Sequence, residues 1–186
     1  MRVTNGEKES VRREMLLRMR TLAPEYVQAA SACFREMLRP LLEERRHICL
    51  YASLPHEIDL LPLLHEQPEH CYYFPRCLPG RQMSFHRVQV AEKELVPGAM
   101  GIRAPLPSLP AISPQDIELV VLPGLAFEPL SSGGAARLGY GGGYYDRFLP
   151  LLSPAAHTVA LALPEQLVSE LPTAEHDVPV NTLLTL

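Results

Sequence analysis

Apolar positions near the start of the chain recur every three or four residues, which is the spacing of one face of an α-helix. The first such stripe consists of Val11, Met15, Met19 and Leu22. Pro24 predicts where a second helix begins, because proline is favoured in the first turn. The apolar face of that helix consists of Val27, Ala30, Phe34, Leu38 and Leu41. The front of the protein is therefore predicted to be a pair of helices.

Short runs rich in β-branched and aromatic residues follow, and these are predicted to be strands. They cover residues 47–51, 71–74, 83–88, 117–122, 157–161 and 180–184. Helices are predicted over residues 57–65 and from Tyr144 to about residue 152. Because strands alternate with helices, we expect a three-layer α/β sandwich, Rossmann-like, with a mostly parallel central sheet behind the N-terminal helical pair.

The segment 96–114 interrupts this pattern, because it contains five prolines. We expect it to be an irregular connection over the surface rather than a domain boundary. Residues 1–186 are accordingly predicted to form a single domain. In such a domain, the loops that bind ligands cluster at the carboxyl ends of the parallel strands.

Composition and charge narrow the class of protein. The chain has 186 residues, of which 47% are hydrophobic, enough for one sizeable core. The formal net charge of −4 disfavours a protein that binds nucleic acid through bulk phosphate attraction. No apolar run is long enough to cross a bilayer, and the four cysteines form no C-x-x-C pair. We expect a cytoplasmic protein with reduced thiols, no nucleic-acid or membrane partner, and a monomeric or small homo-oligomeric state.

The run Arg137–Arg147 carries the strongest functional signal. It reads Arg-Leu-Gly-Tyr-Gly-Gly-Gly-Tyr-Tyr-Asp-Arg, with glycines at Gly139, Gly141, Gly142 and Gly143. Glycines allow several backbone N–H groups to point at one anion at close range, and a helix beginning at Tyr144 would add its positive end. A mobile surface loop is the alternative, but linkers are rich in glycine and serine and lack arginines and tyrosines. The run is therefore interpreted as a phosphate-binding loop.

Two common phosphate loops are excluded. A Walker A motif ends in Gly-Lys-Ser/Thr, and the chain has lysine only at Lys8 and Lys93. The dinucleotide motif G-x-G-x-x-G has different glycine spacing, and the predicted strand over 117–122 does not run directly into the loop. A nucleotide would have to be held in another way.

Other charged residues are candidates with structural alternatives. Lys8 and Arg12 lie one helical turn apart and are able to close on one anion, although charge patterning alone favours a solvated helix face. Glu57 follows the first strand, where it would accept hydrogen bonds from a ligand or, like Asp59, cap the next helix. Asp146 and Asp177 are loop carboxylates of the kind that hold Mg²⁺ on a nucleotide. The structural alternatives are an acidic residue in the first turn of a helix for Asp146 and a turn-forming residue for Asp177. The histidines, including His176, show no metal-binding spacing.

Taken in order, these pieces resemble the 5-formyltetrahydrofolate cyclo-ligase family, also called methenyltetrahydrofolate synthetase. The most specific match is Pro-Gly-Leu-Ala-Phe at residues 123–127, followed by the glycine-tyrosine run. Further matching segments lie at residues 8–12, 51–57, 75–77, 83–85, 98–102 and 176–180. The resemblance covers nearly the whole chain.

This resemblance implies an ATP- and Mg²⁺-dependent ring closure of 5-formyltetrahydrofolate to 5,10-methenyltetrahydrofolate, with release of ADP and phosphate. ATP phosphorylates the formyl oxygen, the folate N10 attacks, and phosphate leaves. Such chemistry requires positioning and charge neutralisation rather than a protein nucleophile.

The resemblance also assigns roles to residues. Arg137 and Tyr144 are the implied catalytic residues. The implied ATP-binding residues are Lys8, Arg12, Arg137, Gly139, Gly141, Gly142, Gly143 and Tyr145. The implied substrate-binding residues are Ala52, Glu57, Tyr140 and Tyr144. Asp146 and Asp177 are the implied Mg²⁺ ligands.

The chain departs from the family pattern in several places. The segment between Phe127 and Arg137 is a few residues longer than usual. Leu60, Ala104 and Asn181 replace residues common in the family, and no role is assigned to them. Two other functions stay open at this point: a non-catalytic protein that binds or stores reduced folate, and an ATP-dependent kinase or ligase acting on another small substrate.

Overall fold

The computed structural model describes residues 5–98, 101–131, 133–174 and 177–186, with only the backbone given for Asn5. The helices are α1 (Asn5–Arg20), α2 (Pro24–Leu42), α3 (Leu63–Glu66), α4 (Ala91–Glu94) and α5 (Tyr144–Phe148). The strands are β1 (His47–Cys49), β2 (Cys71–Leu78), β3 (Gln82–Arg87), β4 (Leu95–Pro97), β5 (Arg103–Pro105), β6 (Leu119–Leu122), β7 (Ala126–Pro129), β8 (Ala135–Leu138), β9 (His157–Ala162) and β10 (Thr182–Thr185). The predicted N-terminal helical pair is present.

The central sheet has six strands in the order β10-β9-β6-β1-β2-β3. All neighbouring strands are parallel except β2 and β3, which are antiparallel. The order proceeds outward from β1 in both directions, first to β2 and later through β6 to β9. The crevice outside the carboxyl ends of β1 and β6 is therefore the place where such a sheet binds ligands.

Alternate residues of the buried strands point to opposite faces of the sheet. In β6, Leu119 and Val121 belong to the cluster that contains Phe34 of α2. Val120 and Leu122 belong to the cluster that contains Phe148 of α5. Because both faces are covered, the sheet is the middle of three layers, and the predicted α/β sandwich with a mostly parallel sheet is confirmed.

Helix α1 contacts the cluster on the main sheet through Met19, whereas its preceding turn packs elsewhere. Its Met15 is buried with Leu125, Ala126, Leu138 and Leu171, next to the β7–β8 hairpin. Residues of α1 one or two turns before Met15 are thereby placed close to the segment that follows β8. This packing explains how the N-terminal helix reaches the glycine loop.

Several local predictions were wrong. The helix predicted over 57–65 is reduced to α3, because Pro62 starts the turn and Asp59 accepts a hydrogen bond from Leu61 N (3.1 Å) instead of continuing a helix. The helix predicted from Tyr144 ends at Phe148 and gives way to a 3₁₀ turn over Leu149–Leu151, which contains Pro150. The short α5 contributes little helix dipole to the glycine loop.

Two hairpins were missed. The proline-rich segment contains the antiparallel pair β4–β5. The pair β7–β8 was not recognised either, because each strand has only four residues and they are joined by a glycine-containing turn. Strand β6 ends at Leu122 and does not run into the glycine loop, as expected; the unpredicted strand β8 ends at Leu138 and runs directly into it.

Across the described ranges, no helix combines the length and apolar character needed to cross a membrane.

Candidate active site

The glycine loop, residues 139–143, connects β8 to α5 and adopts a backbone that requires glycine at two positions. Gly141 has φ +96° and Gly143, at the N-cap of α5, has φ +65°. Residues with a Cβ rarely adopt these angles. This backbone conformation allows the loop to lie close to neighbouring segments of the chain.

Helix α1 contributes Arg12 to one side of the loop. The Arg12 Nε donates to the carbonyl oxygen of Gly139 at 3.0 Å. A Cβ at Gly141 would lie only 3.3 Å from the Arg12 guanidinium carbon, so the absence of a side chain allows this approach. The Arg12 guanidinium thus faces the glycine loop, with a further ion pair to Glu9 at 3.5 Å, and its role in binding ATP stays a prediction.

Lys8 lies one turn earlier on α1 and is buried. Its Nζ forms an ion pair with Asp177, which precedes the last strand by a few residues. The two residues are 169 positions apart in sequence. The ion pair joins the beginning of the chain to its C-terminal segment, next to the helix that carries Arg12.

Arg137 is the last charged residue before the loop, and its side chain is only 4% exposed. One guanidinium nitrogen, Nη2, donates to Asp146 Oδ1 at 2.9 Å. The guanidinium carbon lies 5.5 Å from the centre of the Tyr145 ring, within cation–π range. Arg137, Tyr145 and Asp146 therefore form one cluster, in which Arg137 is buried and the Asp146 side chain is 24% exposed.

On the other side of the loop, Tyr140 reaches the turn after β1. Its hydroxyl donates to Glu57 Oε1 at 2.6 Å and lies 3.3 Å from His56 Nε2. Glu57 Oε2 accepts a hydrogen bond from Leu54 N at 2.8 Å. Burial raises the pKa of Glu57, and the hydrogen bonds from Leu54 and Tyr140 oppose that rise only in part. Glu57 is thus an oriented carboxylate in a dry location, and it does not cap a helix.

The two tyrosines at the start of α5 line the same region. A Cβ at Gly142 would lie 2.7 Å from the Tyr144 ring, which shows how closely that ring packs on the loop. Burial raises the pKa of the Cys77 thiol, and the neighbouring Tyr144 side chain opposes that rise. The Tyr145 hydroxyl is buried and has no hydrogen-bond partner among the described residues, and burial raises its pKa.

Ala52 is buried directly after β1, in the same cluster as Tyr51. Burial raises the pKa of the Tyr51 hydroxyl, and the nearby charge of Glu57 adds to the rise. Ala52 itself is part of the core, and the structure shows no contact that assigns it a role in substrate binding.

The predicted metal ligands are each paired with a cation. Asp146 is held by Arg137 and Asp177 by Lys8. Among the described residues, no group of three His, Cys, Asp or Glu side chains lies close enough together to hold a metal ion. His176 lies outside the described residues. A site for Mg²⁺ at Asp146 and Asp177 remains a prediction.

His56 and Cys77 were not singled out in the sequence, although they contact Tyr140 and Tyr144. His56 directly precedes Glu57, but a lone histidine in a turn carries no signal by itself. Cys77 lies on β2, far from the loop in sequence. Only the crossing of separate segments brings these two residues to the site.

An open cleft of about 440 Å³ lies elsewhere in the structure and is lined by residues that include His47, Tyr73, Arg87 and Glu118. His47 begins β1 and Glu118 precedes β6, so the cleft borders the amino ends of these strands. It contains none of the candidate residues.

Comparison with solved structures agrees with the observed fold. The 5,10-methenyltetrahydrofolate synthetase of Aquifex aeolicus matches 96% of this chain and 89% of its own, with a TM-score of 0.80 and 31% identity. The corresponding synthetase of Mycoplasma pneumoniae matches 95% of this chain and 97% of its own, with a TM-score of 0.75. Its identity of 18% supports the fold alone.

Comparison of sequences identifies the family. The 5-formyltetrahydrofolate cyclo-ligase of Mycolicibacterium smegmatis is 31% identical over 93% of this chain and 91% of its own length. The mouse protein of the same name is 25% identical over 97% of this chain and 94% of its own. The model of the 5-formyltetrahydrofolate cyclo-ligase family matches residues 4–186. The chain therefore belongs to the 5-formyltetrahydrofolate cyclo-ligase family, whose members are ATP-dependent enzymes.

Proposed function

We propose that this protein catalyses the ATP-dependent cyclisation of 5-formyltetrahydrofolate to 5,10-methenyltetrahydrofolate, with release of ADP and phosphate. The observation that carries the proposal is the arrangement around the glycine loop. Arg12 contacts Gly139 on one side of the loop, and Tyr140 contacts Glu57 on the other. A site for phosphate and a site for the nitrogen donors of a pterin are thereby joined by one short segment.

The reaction needs an electrophile stronger than a formyl amide. Transfer of the γ-phosphoryl group to the formyl oxygen supplies it, because phosphate is then a good leaving group. The folate N10 attacks the formyl carbon, its proton is lost, and the carbon–oxygen bond to phosphate breaks. The protein must align these atoms and neutralise phosphate charge.

Arg12, Arg137 and Lys8 are suited to that neutralisation. Arg137 is held rigidly by Asp146 and Tyr145, so its position costs little reorganisation during the reaction. The backbone N–H groups of the glycine loop complete a cradle for the phosphates. Glu57, buried and oriented by Leu54, would accept hydrogen bonds from the pterin, with Ala52 lining that pocket. Tyr144 would border the transferred group.

Magnesium fits this site only together with nucleotide. Asp146 and Asp177 supply oxygen ligands, and Mg²⁺ on a nucleotide takes the remainder from phosphate and water. The cations now paired with both carboxylates would turn to the phosphates. Bound Mg²⁺ would supply charge neutralisation at the phosphates.

We further propose that the whole chain acts as one domain on small molecules, as a monomer or a small homo-oligomer without nucleic acid. A cytoplasmic location agrees with the four cysteines, all of which are free.

The test is the absorbance of the methenyl-folate band after the purified protein is mixed with 5-formyltetrahydrofolate and Mg-ATP. We expect a rise that requires both ATP and Mg²⁺. Folate binding without any rise would instead favour a storage protein. ATP hydrolysis without folate binding would favour a kinase or ligase acting on another substrate.

A further inference from the structure

The hydroxyl of Tyr140 is hydrogen-bonded to the carboxylate oxygen of Glu57 that a substrate would also need. Glu57 has two carboxylate oxygens. Oε2 is engaged by Leu54 N, three residues away within the same turn. Oε1 is engaged by Tyr140, 83 residues away on the glycine loop. A ligand that presents two N–H donors to Glu57 therefore approaches an Oε1 that already holds the Tyr140 hydroxyl at 2.6 Å, and it competes with the phenol for the space and the acceptor strength of that oxygen.

The bond from Tyr140 is the easier of the two to exchange. Tyr140 stands between Gly139 and Gly141, and glycine flanks leave the backbone conformationally free. Its side chain is among the most exposed of the large apolar ones, at 38%. The hydroxyl is therefore able to move from Glu57 into solvent without opening a cavity in the core.

His56 holds the phenol in this position. Its Nε2 lies 3.3 Å from the Tyr140 hydroxyl, whose hydrogen points to Glu57. With the hydrogen on Nε2, the imidazole donates to the phenolic oxygen, which is the role left open to it. Burial and the charge of Arg20 lower the pKa of His56, which favours the neutral ring.

We propose that Tyr140, positioned by His56, is a latch on Glu57 that reduced folate displaces when it binds. This inference rests on the proposed function, since it takes Glu57 as the acceptor for the pterin. In the free protein Arg147 holds the end of the loop at Gly142 and Gly143, and contacts with other segments hold it at a first point, Gly139 to Arg12, and a second point, Tyr140 to Glu57. Folate releases the second point, so it frees the loop that binds the phosphates. Tyr140 thereby couples the two substrate sites.

The first test is the affinity of the full-length protein for 5-formyltetrahydrofolate without nucleotide, measured by calorimetry. Tyr140→Phe removes the competing hydroxyl, and we expect it to bind roughly three- to tenfold more tightly. His56→Ala loosens the phenol, and we expect a smaller gain. Weaker binding by Tyr140→Phe would mean that the hydroxyl contacts folate directly, and unchanged binding would mean that it does not compete. Either result overturns the latch.

Tyr26→Phe is the matched control. The Tyr26 hydroxyl donates to Glu165 Oε2 at 3.2 Å, so this variant removes the same kind of hydrogen bond on another part of the protein. We expect its folate affinity to equal that of the unaltered protein. A gain similar to that of Tyr140→Phe would show a general effect of loosening and would overturn the latch.

The second test needs no folate. Hydrogen exchange of the free protein should be faster over residues 138–143 in Tyr140→Phe than in the unaltered protein, and unchanged there in Tyr26→Phe. Equal exchange in all three would overturn the latch whatever the folate result. A third outcome is that the unaltered protein binds no folate although loop exchange is faster in Tyr140→Phe. This outcome would overturn the proposed function, and only the contact between the loop and Glu57 would stand.

Discussion

Arg137 is the residue on which most contacts of the candidate site converge. It pairs with Asp146, lies against the Tyr145 ring and also approaches the carbonyl oxygen of Pro123. Its Nε is buried without a hydrogen-bond partner among the described residues. The planar guanidinium contacts groups in several directions at once, which the single ammonium group of a lysine does not reproduce.

We expect Arg137→Lys to lower kcat by about a hundredfold, because the contacts of the planar guanidinium with Asp146 and the Tyr145 ring are lost while the charge is kept. Arg137→Ala should also lower the free energy of unfolding by about 2 kcal/mol. Loss of one member of a buried ion pair leaves the other uncompensated, and the 24% exposure of the Asp146 side chain moderates the cost. Steady-state kinetics and urea unfolding measure the two effects.

Arg87→Ala is the control for Arg137, because Arg87 lines the cleft at the amino ends of β1 and β6. It should leave kcat unchanged. Full activity in Arg137→Lys would contradict the role assigned to the guanidinium.

The ionised carboxylate of Glu57 is expected to favour substrate binding but to lower the stability of the fold. Because burial raises its pKa, the folded protein binds the proton of Glu57 more tightly than the unfolded chain does. The contribution of Glu57 to the free energy of unfolding is therefore fully present below the ordinary pKa of glutamate. It is lost as the pH rises through the raised pKa of the folded protein. At pH 7 the ionised carboxylate costs stability.

Glu57→Gln should therefore raise the KM for folate and leave Tm at pH 7 equal to or above that of the unaltered protein. The difference in Tm should shrink toward about pH 4, where Glu57 becomes protonated. Thermal unfolding at both pH values measures this. A Tm deficit that is larger at pH 7 than at pH 4 would show that the carboxylate stabilises the fold.

At the scale of elements, the β7–β8 hairpin and the glycine loop form one unit. Strand β8 delivers Arg137 and Leu138 directly into the loop, and Leu138 packs with Met15 of α1. The hairpin thereby sets the distance between the loop and α1. The segment between Phe127 and Arg137, which was expected to be longer than in the family, contains the turn of this hairpin.

Alanine substitution separates backbone strain from function in this unit. Gly141 and Gly133 both have positive φ, +96° and +88°, so alanine at either position should cost about 1–2 kcal/mol. An added Cβ meets Arg12 at Gly141 but meets no atom within 4 Å at Gly133. We expect similar losses of stability, with a large loss of activity in Gly141→Ala only. Equal activity of the two variants would contradict the assignment of the loop.

At the scale of the whole molecule, the ion pair between Lys8 and Asp177 joins the two ends of the chain. We expect Lys8→Ala and Asp177→Asn each to cost about 1 kcal/mol of stability, and the double variant to cost less than their sum. Additive losses in this double-mutant cycle would show that the pair contributes no coupling.

Kinetics separate the two proposed roles of this pair. Lys8→Ala should raise the KM for ATP about tenfold, the effect of one phosphate contact. Asp177→Asn should raise the Mg²⁺ concentration at half-maximal rate. Arg18→Ala, on the same helix but paired with Glu14, should change neither value. An unchanged Mg²⁺ requirement in Asp177→Asn would limit this residue to the ion pair.

Much of the fold was predictable because its signals are local. The stripe that includes Met15 and Met19, and the β-branched run of β6, each report burial of one segment. The β7–β8 hairpin was not predictable in this way, since each strand is too short to show alternation. The helix assigned to residues 57–65 failed because Asp59 and Pro62 favour turns over a continuing helix.

The sequence by itself determined the layered α/β architecture, the glycine loop and the family, because periodicity and motif composition are properties of contiguous residues. Only the tertiary structure decided that Tyr140 meets Glu57, that Arg12 meets Gly139 and that Lys8 meets Asp177. These partners are between 83 and 169 residues apart. Their contacts arise where separate segments cross, and the free energy of packing the whole core, rather than any local preference, decides where that occurs.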